Sequence, residues 1–195
     1  MRSFLYLLAK LIGFFVYNVF FLIEIRGKEN FPKKGGFIVA SNHLSYLDPP
    51  TIGFVCPRKL YYFAKSSLFE IKVLSSIVRI LGAIPLDRES SMPLTLKKAI
   101  KILKKGEGLV IFPEGTRSKD GLIKEGKPGV GFLAIKSNVP VVPVRLKGTD
   151  KALPRNSKFI RLKKIEVIVG NPVYFEKESY EEISEKVIEI IKTLK

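Results

Sequence analysis

His43 is the single histidine of the chain, and Asp48 follows five positions later in the string Ser41-Asn42-His43-Leu44-Ser45-Tyr46-Leu47-Asp48. Imidazole is the usual proton-transfer group near neutral pH. A carboxylate turned back to hold the second ring nitrogen makes the base-and-orienter half of a catalytic triad. The same aspartate also reads as a helix N-cap, with Pro49 at the first helical position. Ser45 reads as a turn hydroxyl rather than a nucleophile. Cys56 is the only cysteine, so no disulfide framework exists, and one histidine with one cysteine cannot supply the ligands of a zinc site. Cys56 itself reads as a small core residue, in a reducing compartment.

The elements that must position His43 alternate along the chain. Short apolar runs predict strands over 22–26, 37–41, 59–64, 83–86, 109–112, 139–145 and 165–169. Helical spacing links Leu74, Ile77, Val78 and Leu81, then Leu96, Ala99, Ile100 and Leu103, and finally Ile183, Val187, Ile190, Ile191 and Leu194; a short helix is expected over 128–136. The alternation predicts an α/β fold, a mostly parallel, mixed β-sheet flanked by helices. Sites in such sheets lie outside the carboxyl ends of the strands. Three polar strings begin where predicted strands stop: Asn42-His43, Asp87-Arg88, and Pro113-Glu114-Gly115-Thr116-Arg117-Ser118. If those strands are parallel and adjacent, a base and two guanidiniums converge on one edge, and guanidinium forks match phosphate oxygens. Gly129-Val130-Gly131 lacks the third glycine of a dinucleotide fingerprint.

Charge and hydropathy narrow the partners. With 34 Lys plus Arg against 18 Asp plus Glu, the net charge is +16, which attracts anionic membranes, phosphorylated metabolites or an acidic carrier protein. The aromatics sit in apolar runs rather than alternating with basic residues, so a nucleic-acid stacking platform is not expected. Residues 3–23 are nearly all apolar but interrupted by Lys10 and Asn18. A helix over 2–20 is of borderline length for a bilayer core. We read 1–20 as a membrane-anchoring helix, monotopic or a single short span at the cytoplasmic face of the cell membrane, and 21–195 as one α/β domain. The sequence carries no signal of oligomeric state.

Four ordered motifs then match one family. Asn42-His43-Leu44-Ser45-Tyr46-Leu47-Asp48 resembles the first motif of the glycerolipid acyltransferases of the 1-acyl-glycerol-3-phosphate acyltransferase type. Gly82-Ala83-Ile84-Pro85-Leu86-Asp87-Arg88 resembles the second, Phe112-Pro113-Glu114-Gly115-Thr116-Arg117-Ser118 the third, and Val139-Pro140-Val141-Val142-Pro143-Val144 the fourth. The resemblance runs from about Ile23 to Asn171. It implies His43 as general base with Asp48 orienting it, and acyl transfer from acyl-CoA or acyl carrier protein to the 2-hydroxyl of lysophosphatidate. Lys65, Arg88, Glu114, Gly115, Thr116 and Arg117 are the implied substrate-binding residues, with Gly115 permitting close backbone approach. No metal or cofactor is implied. Because the same motifs serve several acceptors, another lysolipid is the alternative substrate; a non-catalytic basic module binding membrane or nucleic acid is the reading from a different class.

Overall fold

The computed structural model describes residues 21–86, 92–157 and 159–195, together with Leu11, Gly13, Tyr17 and Val19. Among the described residues the strands are β1 (Glu24–Arg26), β2 (Phe37–Ser41), β3 (Leu60–Lys65), β4 (Ala83–Leu86), β5 (Gly108–Ile111), β6 (Val141–Lys147) and β7 (Glu166–Val169). They form one sheet in the order β1-β7-β6-β2-β5-β3-β4. Every neighbouring pair is parallel except β6 with β7, so the sheet is mixed as expected. The helices are α1 (Asp48–Val55), α2 (Lys72–Ile80), α3 (Met92–Lys104), α4 (Gly129–Ser137), α5 (Thr149–Ala152) and α6 (Tyr180–Thr193).

Successive strand side chains point to opposite faces, so a strand covered on both faces reads as an unbroken apolar run. In β2, Phe37 and Val39 join Val110, Val142, Val144 and Leu146 beneath Ile52 and Val55 of α1. Ile38 and Ala40 face the other way, packing with Leu109 and Val141 against Ala99 and Leu103 of α3, Val130 and Leu133 of α4, and Ile183, Val187 and Ile191 of α6. Gly131 belongs to this second layer. A Cβ there would lie 2.3 Å from the Tyr180 carbonyl oxygen, so this glycine serves close packing of α4 on the start of α6. A capping box sets that start: Ser179 Oγ accepts from the Glu182 N–H, and Glu182 Oε2 accepts from the Ser179 N–H. Cys56 is buried in the first layer, as its apolar surroundings predicted.

Two strand starts lie two positions later than expected. β6 starts at Val141 rather than at 139, because Pro140 has no N–H to give a ladder and contributes only its carbonyl, to the Ile38 N–H. β1 is shorter than predicted, beginning at Glu24. The anchoring helix expected over 2–20 lies outside the described residues except for Leu11, Gly13, Tyr17 and Val19, each helical. Tyr17 stacks on Phe54 at 4.9 Å between ring centroids, and its hydroxyl meets Thr51 Oγ1 at 2.9 Å. Among the described residues no helix is long and apolar enough to cross a membrane.

Parallel pairing gathers the carboxyl ends of β2 to β6 on one edge. β7 and β1 run the opposite way, so both start at that edge.

Candidate active site

β2 and β5 are direct neighbours, with Ala40 opposite Ile111, so the chain leaving each strand meets the other. His43 is pinned through its main chain. Its N–H donates to Glu114 Oε1 at 2.9 Å and its carbonyl accepts from the Ser118 N–H at 2.8 Å. The imidazole lies on the Phe112 ring, 4.0 Å between centroids and 19° from parallel. On the other side of β2, Asn42 extends the ladder with its side chain: Nδ2 donates to the Leu146 carbonyl at 2.9 Å and Oδ1 accepts from the Leu146 N–H at 2.8 Å. Position 43 is therefore clamped from both neighbouring strands.

Asp48 turns back as the spacing suggested, and its Oδ2 lies 2.8 Å from His43 Nδ1. The same oxygen accepts the main-chain N–H groups of Leu44 at 2.6 Å and Ser45 at 2.7 Å. The N-cap reading is corrected here. Asp48 is the first residue of α1, Leu47 is the cap residue without a side-chain bond, and the Asp48 carboxylate reaches back into the loop instead of forward into the helix. Oδ1 is buried without a partner among the described residues, and the side chain is fully buried. Three nitrogens, one of the imidazole and two of the main chain, converge on its other oxygen. The carboxylate charge reaches Tyr17. Burial above all, and then the Asp48 charge, push that phenol above its ordinary range, against the lowering effect of the Thr51 hydrogen bond.

Ser45 is a turn hydroxyl, as read: Oγ donates to the Leu153 carbonyl at 2.8 Å and accepts from the Leu47 N–H at 3.3 Å. Glu114 is buried, and both its oxygens are engaged by main chain, since Oε2 accepts from the Lys124 N–H at 3.1 Å. Gly115 closes a turn with its N–H on the Phe112 carbonyl at 2.9 Å and a φ of 69°. That left-handed backbone favours glycine, and among the described residues the flexible Lys127 side chain is what lies near a Cβ placed there. Thr116 is exposed. The Arg117 guanidinium sits 3.6 Å from the centroid of the Tyr46 ring, and its Nη1 is buried without a partner among the described residues.

Lys65, at the exposed end of β3, stands opposite Leu86 of β4. β5 separates β3 from β2, which puts Lys65 about 10 Å along the edge from the histidine loop. Arg88 lies outside the described residues. A cleft of about 280 Å³ opens beside the histidine loop, lined by Leu44, Ser118, Lys119, Asp120, Asp150 and Arg155. Phe112, Tyr46 and Asn42 were not singled out as site residues from the sequence. Phe112 and Tyr46 had a signal, being aromatics inside the polar strings, but only sheet order shows what they stack on.

A family model described as Acyltransferase matches residues 22–147, which span His43, Asp48, Lys65, Glu114 and Arg117. The chain belongs to the acyltransferase family. This acyltransferase is 32% identical over 153 residues to the 1-acyl-sn-glycerol-3-phosphate acyltransferase of Bacillus subtilis, covering 78% of the chain and 74% of that relative. It is 34% identical over 177 residues to a chloroplastic 1-acyl-sn-glycerol-3-phosphate acyltransferase of Brassica napus, covering 89% of the chain and 51% of that relative. The chain thus spans about half the length of the plant relatives it matches. Its fold is similar to the crystal structure of PlsC, the 1-acyl-sn-glycerophosphate acyltransferase of Thermotoga maritima, at a TM-score of 0.83 and 29% identity over 98% of this chain and 78% of that one.

Proposed function

We propose that this acyltransferase transfers a fatty acyl group from a thioester donor, acyl-CoA or acyl carrier protein, to the sn-2 hydroxyl of lysophosphatidate, giving phosphatidate. The observation that carries the reading is the His43–Asp48 pair at 2.8 Å, with the other ring nitrogen, Nε2, left without a protein partner among the described residues. Asp48 accepts a hydrogen bond from Nδ1–H, which makes Nε2 the basic nitrogen. Nε2 takes the proton of the acceptor hydroxyl as its oxygen attacks the thioester carbonyl. When the tetrahedral adduct collapses, the C–S bond breaks, the new C–O ester bond remains, and the imidazolium returns its proton to the departing thiolate. Asp48 stabilises the imidazolium in between.

Arg117 holds the acceptor phosphate in this reading, and its buried unpartnered Nη1 supports that role, because a phosphate oxygen supplies the missing acceptor. Lys65 and Arg88 extend the cationic rim, while Gly115 and Thr116 shape the turn that carries Arg117. Glu114 acts by holding the His43 main chain. The net charge of +16 suits an anionic acceptor, an anionic donor and an anionic leaflet. Residues 1–20 serve as the anchor that keeps 21–195 on the cytoplasmic face of the membrane.

The test is to supply purified full-length protein in detergent or lipid with lysophosphatidate and either donor, and to follow phosphatidate. Turnover lost in His43→Ala is expected. No product with either donor overturns the reading, and product only with another lysolipid reassigns the acceptor.

A further inference from the structure

Among the described residues, the segment between α5 and β7 has no regular secondary structure over 153–157 and 159–165 and carries large apolar side chains outward. Phe159 is 82% exposed, Ile160 58% and Leu162 69%. Arg155, Arg161 and Lys163 are interleaved with them and are also exposed. The segment is held in shape. Ser157 N–H donates to the Pro154 carbonyl, Ser157 Oγ meets both the N–H and the carbonyl of Phe159, and the Arg161 N–H donates to the Ala152 carbonyl at 2.7 Å. These bonds fix several main-chain groups of a loop whose side chains Phe159, Ile160 and Leu162 are exposed.

Position gives this exposure its meaning. The loop leaves the carboxyl end of β6 and returns at the start of β7, so it stands on the edge that carries His43. Two bonds tie it to that site, Ser45 Oγ to the Leu153 carbonyl and Arg155 Nη1 to the Arg117 carbonyl at 2.7 Å. The segment entering β1 arrives at the same edge, where the Phe21 carbonyl accepts the Ile165 N–H and Leu22 is 71% exposed. Leu122, from the loop after Glu114, is exposed as well. Exposed apolar side chains among exposed cations on one edge match the two layers of an anionic leaflet, acyl chains below and phosphates above.

We propose that the 153–164 loop is a second lipid-contacting element, which inserts Phe159, Ile160 and Leu162 into an anionic leaflet while Arg161 and Lys163 meet headgroup phosphates. The His43 edge then faces the bilayer, and an acceptor can reach the base without leaving the membrane. This rests on the lipid acceptor proposed above.

The chain contains no tryptophan, so one placed in the loop reports its surroundings alone. Full-length Phe159→Trp is mixed with phosphatidylcholine vesicles containing phosphatidylglycerol, and its emission is compared with that of Tyr174→Trp, an exposed position beside the start of β6 on the opposite edge. Expected are a blue shift and quenching by brominated acyl chains for Phe159→Trp only. In Arg161→Gln/Lys163→Gln, the shift should need a higher fraction of anionic lipid. No shift at position 159 in vesicle-bound protein, or equal shifts at both positions, overturns the proposal. The readout needs no turnover, so it fails or succeeds separately from the acyltransfer assay.

Discussion

The main-chain N–H of His43 is bonded to Glu114 Oε1 at 2.9 Å, so the residue that follows one strand is held by a side chain that follows its neighbour. The imidazole position therefore depends on a carboxylate distant in sequence. Glu114→Gln keeps the shape but has one carbonyl oxygen for two main-chain donors, and turns an NH₂ against an N–H. A buried donor left unsatisfied costs about 1–3 kcal/mol. We expect the melting temperature to fall by roughly 2–4 °C per kcal/mol lost. In steady-state kinetics kcat should drop more than the acceptor KM rises.

His43→Ala should lower kcat by about 10²–10⁴-fold, the usual contribution of a positioned general base. Asp48→Asn should cost a comparable factor, because an amide no longer imposes the tautomer with hydrogen on Nδ1. It also weakens the bonds from the Leu44 and Ser45 N–H groups, so stability falls in that variant while His43→Ala melts near the parent. The double variant should be scarcely slower than the worse single, since the pair works as a unit. Additive losses in kcat would sink the pairing.

Tyr46 supports the Arg117 guanidinium from below at 3.6 Å. Such a contact is worth about 0.5–2 kcal/mol according to its burial. Tyr46→Ala should raise the acceptor KM several-fold and leave kcat nearly unchanged. Tyr46→Phe retains the ring face and should behave as the parent. A matching loss in Phe would assign the effect to the hydroxyl.

Two glycines should respond oppositely to alanine. Gly131→Ala drives a Cβ into the Tyr180 main chain and should destabilise by about 1–3 kcal/mol as α4 and α6 separate. Gly53, inside α1, has no atom of the described residues within 4 Å of a Cβ placed there, and Gly53→Ala should stabilise by about 0.5–1 kcal/mol through helix propensity. Urea unfolding of the two variants is the check.

The Tyr17 phenol is held protonated beyond its ordinary range, chiefly by burial. Its contribution is fully present below the unfolded phenol value, near pH 10. Above it the unfolded chain binds fewer protons than the folded one, so stability falls as pH rises towards the folded value. Tyr17→Phe should flatten that alkaline decline relative to the parent, measured by denaturant unfolding from pH 8 to 11. An unchanged slope would show that Tyr17 is not docked on α1.

Local order was legible in the residues themselves. Apolar runs located the strands to within a few positions, because a strand buried on both faces must be apolar throughout. One histidine left one candidate for the base, and a carboxylate five positions on could reach it by a single turn. The direction of that carboxylate was not decided locally, since a helix cap and an imidazole partner use the same residue type at the same place. Tertiary structure decided it, by bringing the Leu44 and Ser45 N–H groups and Nδ1 onto one oxygen of Asp48. Sheet order decided the rest. With β5 beside β2, Glu114 and Phe112 meet His43 across 71 and 69 positions of chain, whereas β4 stands three strands away from β2. Strand neighbours are set by crossover connections and the packing of whole layers, which no short stretch of sequence encodes.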